Sequence, residues 1–113
     1  AEALETGFVA GLLGYYSHPF CQRVLAREPD AILPFLTLEA APSLELVKNF
    51  VRASLALTSD ASRIDPDALD AACEAATRLA QSYALTPGSS KPPTEAELHA
   101  IARRMILPLL TPR

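Results

Sequence analysis

Residues 65–85, DPDALDAACEAATRLAQSYAL, contain the strongest helix signal in the chain. Asp65 is a typical N-cap, Pro66 suits the first helical position, and Asp67 places negative charge at the positive end of the helix dipole. Apolar or small side chains then recur in alternating steps of three and four, which is the repeat of a helix-bundle seam. They are Leu69, Cys73, Ala76, Ala80 and Tyr83. The stretch therefore predicts a long amphipathic helix inside a helical bundle.

Prolines also mark the boundaries of the other predicted helices. Ten prolines divide the 113 residues into segments of helical length, and none of these segments shows sustained two-residue alternation. The sequence predicts one all-α domain over residues 1–113, an orthogonal or antiparallel bundle of about six helices. The helices are expected at roughly residues 2–16, 19–28, 30–36, 43–58, 65–85 and 94–107.

Composition and charge exclude several classes of protein. Half of the residues are hydrophobic and a fifth are charged, which is typical of a globular protein and not of a disordered one. The net charge of −3 does not favour binding of nucleic acid by this chain alone. Cys21 and Cys73 are too few for a disulfide framework and are expected as reduced thiols in the cytoplasm. No apolar run is long enough to cross a membrane.

The predicted hairpin of the last two helices carries more apolar surface than one helix pair can bury. An unmatched apolar face in a chain of this composition indicates an interface, and two copies of the hairpin would close a four-helix bundle with two-fold symmetry. The sequence therefore predicts a homodimer. The predicted interface residues are Leu69, Ala76, Tyr83, Ile101, Met105 and Leu109.

Aromatic residues are concentrated in the first half of the chain, which predicts an apolar pocket among the first four helices. The predicted pocket residues are Phe8, Leu12, Tyr16, Phe20, Phe35 and Phe50. Gly7, Gly11 and Gly14 weaken the first helix, since each glycine costs about 0.8–1 kcal/mol relative to alanine. They indicate either close packing against a neighbouring helix, which we favour, or room left for something else.

Candidate catalytic and metal-binding residues are few. His18 lies beside a proline at a helix start, where an imidazole can bond the backbone, and a structural role is favoured over a catalytic one. His99 is expected in solvated pairs with Glu95 and Arg103 on the outer face of the last helix. The acidic residues early in the fifth helix are explained by the helix dipole. The sequence thus predicts no catalytic residue, no metal and no cofactor, and favours a protein that is not an enzyme.

Residues 18–37, HPFCQRVLAREPDAILPFLT, resemble a run found in the C-terminal regulatory domain of TetR-family bacterial transcriptional regulators. The tail is similar as well, with Asp65 and Pro66 opening a helix that carries Arg78 and Ser82. The resemblance implies a domain that binds a small effector and dimerises through its last two helices. Filling of the pocket is then expected to change the relative placement of two DNA-binding heads.

The helix-turn-helix domain that the resemblance implies is missing from this sequence. The chain begins at Ala1 instead of methionine, and we expect it to be the part that follows such a domain. Contact with DNA is then expected only through the missing N-terminal domain, and the small apolar effector has no identity in the sequence. A stand-alone helical interaction domain without ligand or DNA is the alternative, and a small helical enzyme ranks third.

Overall fold

The computed structural model describes residues 2–58, 61–86, 88 and 91–112. This part of the chain forms six α-helices, which confirms the predicted all-α class. Their bounds are Glu2–Ser17 (α1), Pro19–Arg27 (α2), Pro29–Leu36 (α3), Ala41–Ala56 (α4), Pro66–Leu85 (α5) and Glu95–Ile101 (α6). The first five begin and end close to the predicted positions because proline and capping residues mark those ends.

The junction between α1 and α2 depends on His18. Its backbone is extended and its Nδ1 accepts a hydrogen bond from the Cys21 backbone N–H at 3.2 Å, so His18 is the N-cap of α2. Serine is also a common N-cap residue, but the preceding Ser17 donates its hydroxyl to the Leu13 carbonyl at 2.9 Å, within α1. The structural role predicted for His18 is therefore the one that the structure shows.

The start of α5 has the predicted cap, and α6 begins with a capping box. The Asp65 carboxylate accepts from the Ala68 backbone N–H at 3.0 Å. Thr94 and Glu97 form a reciprocal capping box, in which each side chain accepts a hydrogen bond from the other residue's backbone N–H. These bonds satisfy N–H groups that have no partner within the helix.

The sixth helix differs from the single helix that the sequence predicts. After Ile101 the backbone widens into a π-helical turn over Ala102–Ile106, in which the Leu107 N–H bonds the Ala102 carbonyl, and a 3-10 turn over Leu107–Leu109 follows. Pro108 explains the change, because it has no N–H to continue an α-helix. The wider turn keeps both Ala102 and Ile106 buried.

The core lies where α1, α5 and the α6 region meet. Apolar side chains from these three segments form one buried cluster, and each fully buried leucine in it contributes roughly 1.5–3 kcal/mol. The main members are Leu4, Phe8, Val9, Leu12, Leu69, Ala72, Cys73, Ala76, Leu98, Ala102 and Ile106. Cys73 is fully buried as a free thiol, and burial raises its pKa.

Two residues of the predicted dimer interface belong to this core. Leu69 is 3% exposed and Ala76 is 6% exposed, because the first helix and the C-terminal segment of the same chain cover this face of α5. An interface between copies of the chain cannot use side chains that the single chain already buries. The structure therefore corrects the prediction at Leu69 and Ala76.

The other four predicted interface residues lie nearer the surface. Tyr83 and Ile101 are half-buried and pack against the core, so they are only partly available to a partner. Met105 is 51% exposed and Leu109 is 40% exposed. Within the predicted set, the outward apolar surface is therefore at the end of the C-terminal segment.

Helix α4 lies at the edge of the bundle, with much of its surface exposed. It contributes Leu55 to the core. Its link to α5 is polar: the Lys48 ammonium lies 3.2 Å from the Glu74 carboxylate and 3.8 Å from that of Asp70. The hydrogen bond to Glu74 raises the pKa of Lys48. The polar stripe of α4 thus helps to hold the helix against α5.

The apolar stripe of α4 remains largely open to solvent. Leu46 and Phe50 are each 72% exposed, and Leu57, just after the helix, is 90% exposed. Leu38 in the turn before α4 is 97% exposed. Large apolar side chains clustered on one surface are typical of an interaction site.

A buried carboxylate joins the two ends of the described chain. Glu5 on α1 is only 8% exposed, and its Oε2 receives a hydrogen bond from His99 Nδ1 at 2.5 Å and one from Arg103 Nε at 2.9 Å. The sequence predicted His99 beside Glu95 and Arg103 in solvent, but gave no sign of Glu5. The hydrogen bond from His99, with help from Arg103, holds the pKa of Glu5 below its ordinary value of 4.5.

We expect this cluster to make folding stability depend on acid pH. A carboxyl group with a lowered pKa in the folded state contributes its stability above its unfolded pKa and loses it as the pH falls through the folded value. The free energy of unfolding of the wild type should therefore fall below about pH 4.5 more steeply than that of Glu5→Gln. Urea titrations between neutral and acid pH measure this difference.

Glu2→Gln is the matched control, because Glu2 lies exposed on the same helix. This variant should keep the steep acid dependence of the wild type. If Glu5→Gln and Glu2→Gln gave the same pH profile, the cluster around Glu5 would not contribute to stability in the way the geometry indicates.

Candidate functional site

A cavity of about 590 Å³ lies between α1, the end of α3, α4 and the C-terminal half of α5. Its size falls in the range of sites that hold small organic molecules. The sequence predicted a pocket among the first four helices. In the structure α5 supplies one wall, and no described residue of α2 reaches the cavity.

The α1 wall combines larger side chains, among them Leu4, Phe8 and Leu12, with a stripe of very small residues. Ala3, Gly7 and Gly11 follow one another at intervals of four residues, so they share one face of the helix, and all three line the cavity. A Cβ atom built on either glycine meets nothing within 4 Å. Gly14, outside the cavity wall, is equally open. The close helix packing that the sequence favoured is therefore wrong for these glycines, and the cavity occupies the space beside Gly7 and Gly11.

The α5 wall repeats this pattern. Ala76, Ala80 and Ala84 are also spaced by four and line the cavity. The sequence repeat predicted Ala76 and Ala80 in a bundle seam instead of a cavity wall. The missed signal was the coincidence of two small-residue stripes, one on α1 and one on α5, with the same spacing.

The opposite wall is bulky and partly open. Phe35 on α3 and Phe50 on α4 line the cavity and are 60% and 72% exposed, respectively. Val47, one turn before Phe50, is 48% exposed. These side chains therefore stand at the boundary between the cavity and solvent, where movement of their rotamers would admit a ligand.

Polar groups in the wall are few, and two of them donate hydrogen bonds within the chain. Thr77 donates its hydroxyl to the Cys73 carbonyl at 2.8 Å, and Gln81 donates its amide to the Leu36 carbonyl at 2.6 Å. Burial raises the pKa of the Tyr15 phenol at one end of the cavity. Among the described residues, none of those in the wall is acidic, basic or a histidine.

Four of the six predicted pocket residues line this cavity. Phe8 and Leu12 come from α1, Phe35 from α3 and Phe50 from α4. Phe8 and Leu12 are also buried core residues, whereas the two other phenylalanines are largely exposed. The cavity thus extends from the edge of the core to the surface of the bundle.

Tyr16 and Phe20 lie outside the cavity, and the pocket prediction is corrected at both positions. The Tyr16 hydroxyl donates to the Tyr83 carbonyl at 2.7 Å, which directs this side chain to the C-terminal turn of α5. Phe20 is 65% exposed and contacts the His18 ring edge to face, with ring centroids 6.5 Å apart. A long-range hydrogen bond to α5 thus holds Tyr16 away from the cavity, and a local contact with His18 does the same for Phe20.

Neither a metal cluster nor a membrane span is found in the residues that the structure describes. No group of three or more His, Cys, Asp or Glu side chains there is arranged to hold a metal ion. Along the same residues, no helix combines the length and the apolar character that crossing a bilayer requires.

Comparison with known protein families agrees with this architecture. Residues 1–104 match the family described as "Bacterial Tetracyclin repressor, C-terminal domain". No curated protein and no solved structure gives a significant match. The chain belongs to this family of TetR C-terminal domains, a regulatory family of transcriptional regulators.

The open space beside the α1 glycines leads to a stability prediction. Gly7→Ala and Gly11→Ala should each increase the free energy of unfolding by up to about 1 kcal/mol, because alanine favours the helix and its methyl group meets no neighbour. Gly14→Ala, outside the cavity, should do the same. Denaturant titration at neutral pH measures the change. A loss of stability at Gly7 or Gly11 would show that a helix packs closely there after all.

Proposed function

We propose that this TetR-type regulatory domain binds a small neutral apolar effector in the cavity between α1, α3, α4 and α5. The observation that supports the proposal is the cavity itself, about 590 Å³ in volume and walled mainly by apolar side chains. Pockets of this size and composition are typical of sites for small organic ligands. We further propose that the domain acts in the cytoplasm.

The described wall residues carry no charge, which favours a neutral effector. An ionised ligand would lose its hydration in this cavity without gaining a counter-charge from the described wall residues. Burial of an unpaired charge costs far more free energy than apolar contact returns. A neutral ligand avoids this cost, and Gln81 and Thr77 retain oxygen acceptors for a hydroxyl or amide group.

Regulation requires the occupied and empty states to differ in how they hold DNA. We propose that the DNA-binding helix-turn-helix domain precedes residue 1 in the parent protein, whereas residues 1–113 form one regulatory domain. Because α1 and α5 border both the cavity and the core, a ligand between α1 and α4 can bias the placement of the whole bundle. Such a ligand shifts the equilibrium only by its difference in affinity for the two arrangements.

We also propose that the domain acts as a homodimer through its C-terminal helices. Met105 and Leu109 support this, since they leave apolar surface exposed at the end of the segment that would meet its counterpart. The dimer would use this outer surface instead of the buried Leu69 and Ala76. Tyr83 and Ile101 would contribute only the parts of their side chains that the core leaves open.

Ligand binding to the cavity should raise the melting temperature of the domain. A ligand that binds only the folded state stabilises it by about 2.7 kcal/mol at a hundredfold excess over its Kd. A neutral apolar dye such as pyrene is a suitable probe, because its fluorescence reports transfer from water into an apolar site. Thermal unfolding followed at increasing pyrene concentration measures the effect.

Two leucine variants on the same helix distinguish the cavity from nonspecific binding. Ala80→Leu places an isobutyl group into the cavity and should abolish the shift in melting temperature, whereas Ala71→Leu changes an exposed site on the opposite side of α5 and should leave it intact. Equal pyrene shifts in wild type and both variants would contradict the proposed site.

Dimerisation is tested by a charge at the exposed C-terminal surface. Met105→Glu should raise the dimer dissociation constant at least tenfold, since burial of an unpaired charge at an interface costs more than about 1.4 kcal/mol. Ile101 is unsuitable for this test because it also packs against the core. Sedimentation equilibrium over a range of protein concentrations measures the constant.

Leu57→Glu is the matched control, because Leu57 is 90% exposed near the end of α4 and is remote from the C-terminal helices in sequence. It should leave the constant unchanged. If Leu57→Glu dissociated the dimer and Met105→Glu did not, the apolar surface of α4 would be the interface. A wild-type chain that stays monomeric at high concentration would contradict dimerisation and favour the alternative of an interaction domain for other partners.

A further inference from the structure

We propose that residues 19–39, which contain α2 and α3, form a movable cover over the cavity, and that Gln81 of α5 is the latch that holds this cover closed. This inference rests on the proposed function, because it concerns how the domain retains and releases its effector. It is carried by the weak attachment of the cover to the core and by the position of the bond between Gln81 and α3.

The cover takes no part in the described core. None of residues 19–39 is buried, although the segment includes large apolar side chains such as Phe20 and Leu33. The buried core cluster, and the half-buried apolar side chains that pack against it, all come from outside this segment. A segment with so few buried contacts is typical of regions that open locally while the rest of a protein stays folded.

The start of the cover is attached to the end of α1. The Gln22 amide donates to the Tyr15 carbonyl at 2.9 Å, and His18 caps α2. Beyond these bonds, α2 and α3 pack mainly against each other. Because the bonds to α1 restrain only the start of the cover, the position of its far end depends on contacts with other helices.

Gln81 supplies such a contact at the end of α3. Its Nε2 donates to the Leu36 carbonyl at 2.6 Å, although the two residues are 45 positions apart in sequence. Among the hydrogen bonds and ion pairs of the described residues, this is the one that joins the cover to α4, α5 or the C-terminal segment. Gln81 also lines the cavity, so the latch lies in the wall of the proposed binding site.

The end of α3 closes the cavity with two adjacent residues. Phe35 and Leu36 both line it, and the Leu36 carbonyl is the acceptor of the bond from Gln81. When that bond breaks, the end of α3 loses its link to α5, and both side chains can leave the cavity. A ligand that contacts these two residues as well as α1 and α5 binds the closed arrangement more tightly, and it therefore holds the cover closed.

Hydrogen exchange of the empty wild-type domain tests whether the cover moves. After correction for intrinsic exchange rates, the backbone amides of α3 should be protected at least tenfold less than those of α1, because α3 opens without unfolding of the core. Bound pyrene should slow the exchange of α3. Hydrogen exchange followed by mass spectrometry of peptides measures both effects.

Gln81→Met tests the latch, because methionine has a similar length and no hydrogen-bond donor. The net free energy of one hydrogen bond corresponds to about a three- to tenfold change in an opening constant, so the amides of α3 should exchange faster by about that factor. Gln22→Met is the matched control. It removes a bond of the same kind at the start of the cover, which stays intact when the far end opens, so it should leave the exchange of α3 unchanged.

Release of bound pyrene tests whether the cover controls the cavity. The loaded domain is mixed with an excess of phosphatidylcholine vesicles, which take up the released dye, and fluorescence gives the release rate. Gln81→Met should release pyrene about three- to tenfold faster than the wild type and Gln22→Met. Faster release would not reflect lost apolar contact, since methionine adds apolar surface to the wall.

The outcomes separate this inference from the proposed function. Equal protection of α3 and α1 in the wild type, or unchanged exchange of α3 in Gln81→Met, would overturn the latched cover. If exchange changed but pyrene release did not, rotation of side chains at the mouth would be sufficient for release. The cover would then have no role in retention, while the cavity remained a ligand site. If pyrene did not bind at all, the proposed function and the retention of ligand by the cover would fall together.

Discussion

The packing of α1 against α5 is the interaction on which the rest of the structure depends. Leu4, Phe8 and Leu12 lie in this contact, and the side chains of the α6 region cover it from another side. Buried apolar surface stabilises this contact. Helices α2 and α3 have less of it, since neither has a buried side chain among its described residues. The same two helices line the cavity, so the candidate site borders the core of the domain.

Electrostatic contacts add to the apolar packing at two places. Glu5, held by His99 and Arg103, joins the start of α1 to α6, and Lys48 joins α4 to the acidic side of α5. The Glu5 and Lys48 contacts differ in how deeply they are buried. Glu5 is buried and its contact fixes two core elements, whereas α4 is attached partly by surface charge and keeps its apolar stripe exposed. Of the walls around the cavity, α3 and α4 are therefore less firmly attached to the core than α1 and α5.

Local rules predicted the helices well, whereas tertiary packing determined the site. The caps at Asp65 and Thr94 follow from short-range backbone bonding, which a sequence encodes directly. The site required knowledge of which faces meet: Tyr16 turned toward α5 by one hydrogen bond, and the alanines of α5 lined a cavity instead of a dimer seam. Burial of Glu5 was equally invisible, because its partner His99 lies 94 positions further along the chain.

The three open glycines of α1 have a consequence for how this domain tolerates change. Together they forgo roughly 2–3 kcal/mol of helix stability that alanines would supply, a large share of the 5–15 kcal/mol that holds a typical domain folded. A domain with less stability in reserve is less robust to mutation elsewhere. Gly7 and Gly11 thus leave space in the cavity and forgo helix stability that alanines would supply, a trade of mutational robustness for space.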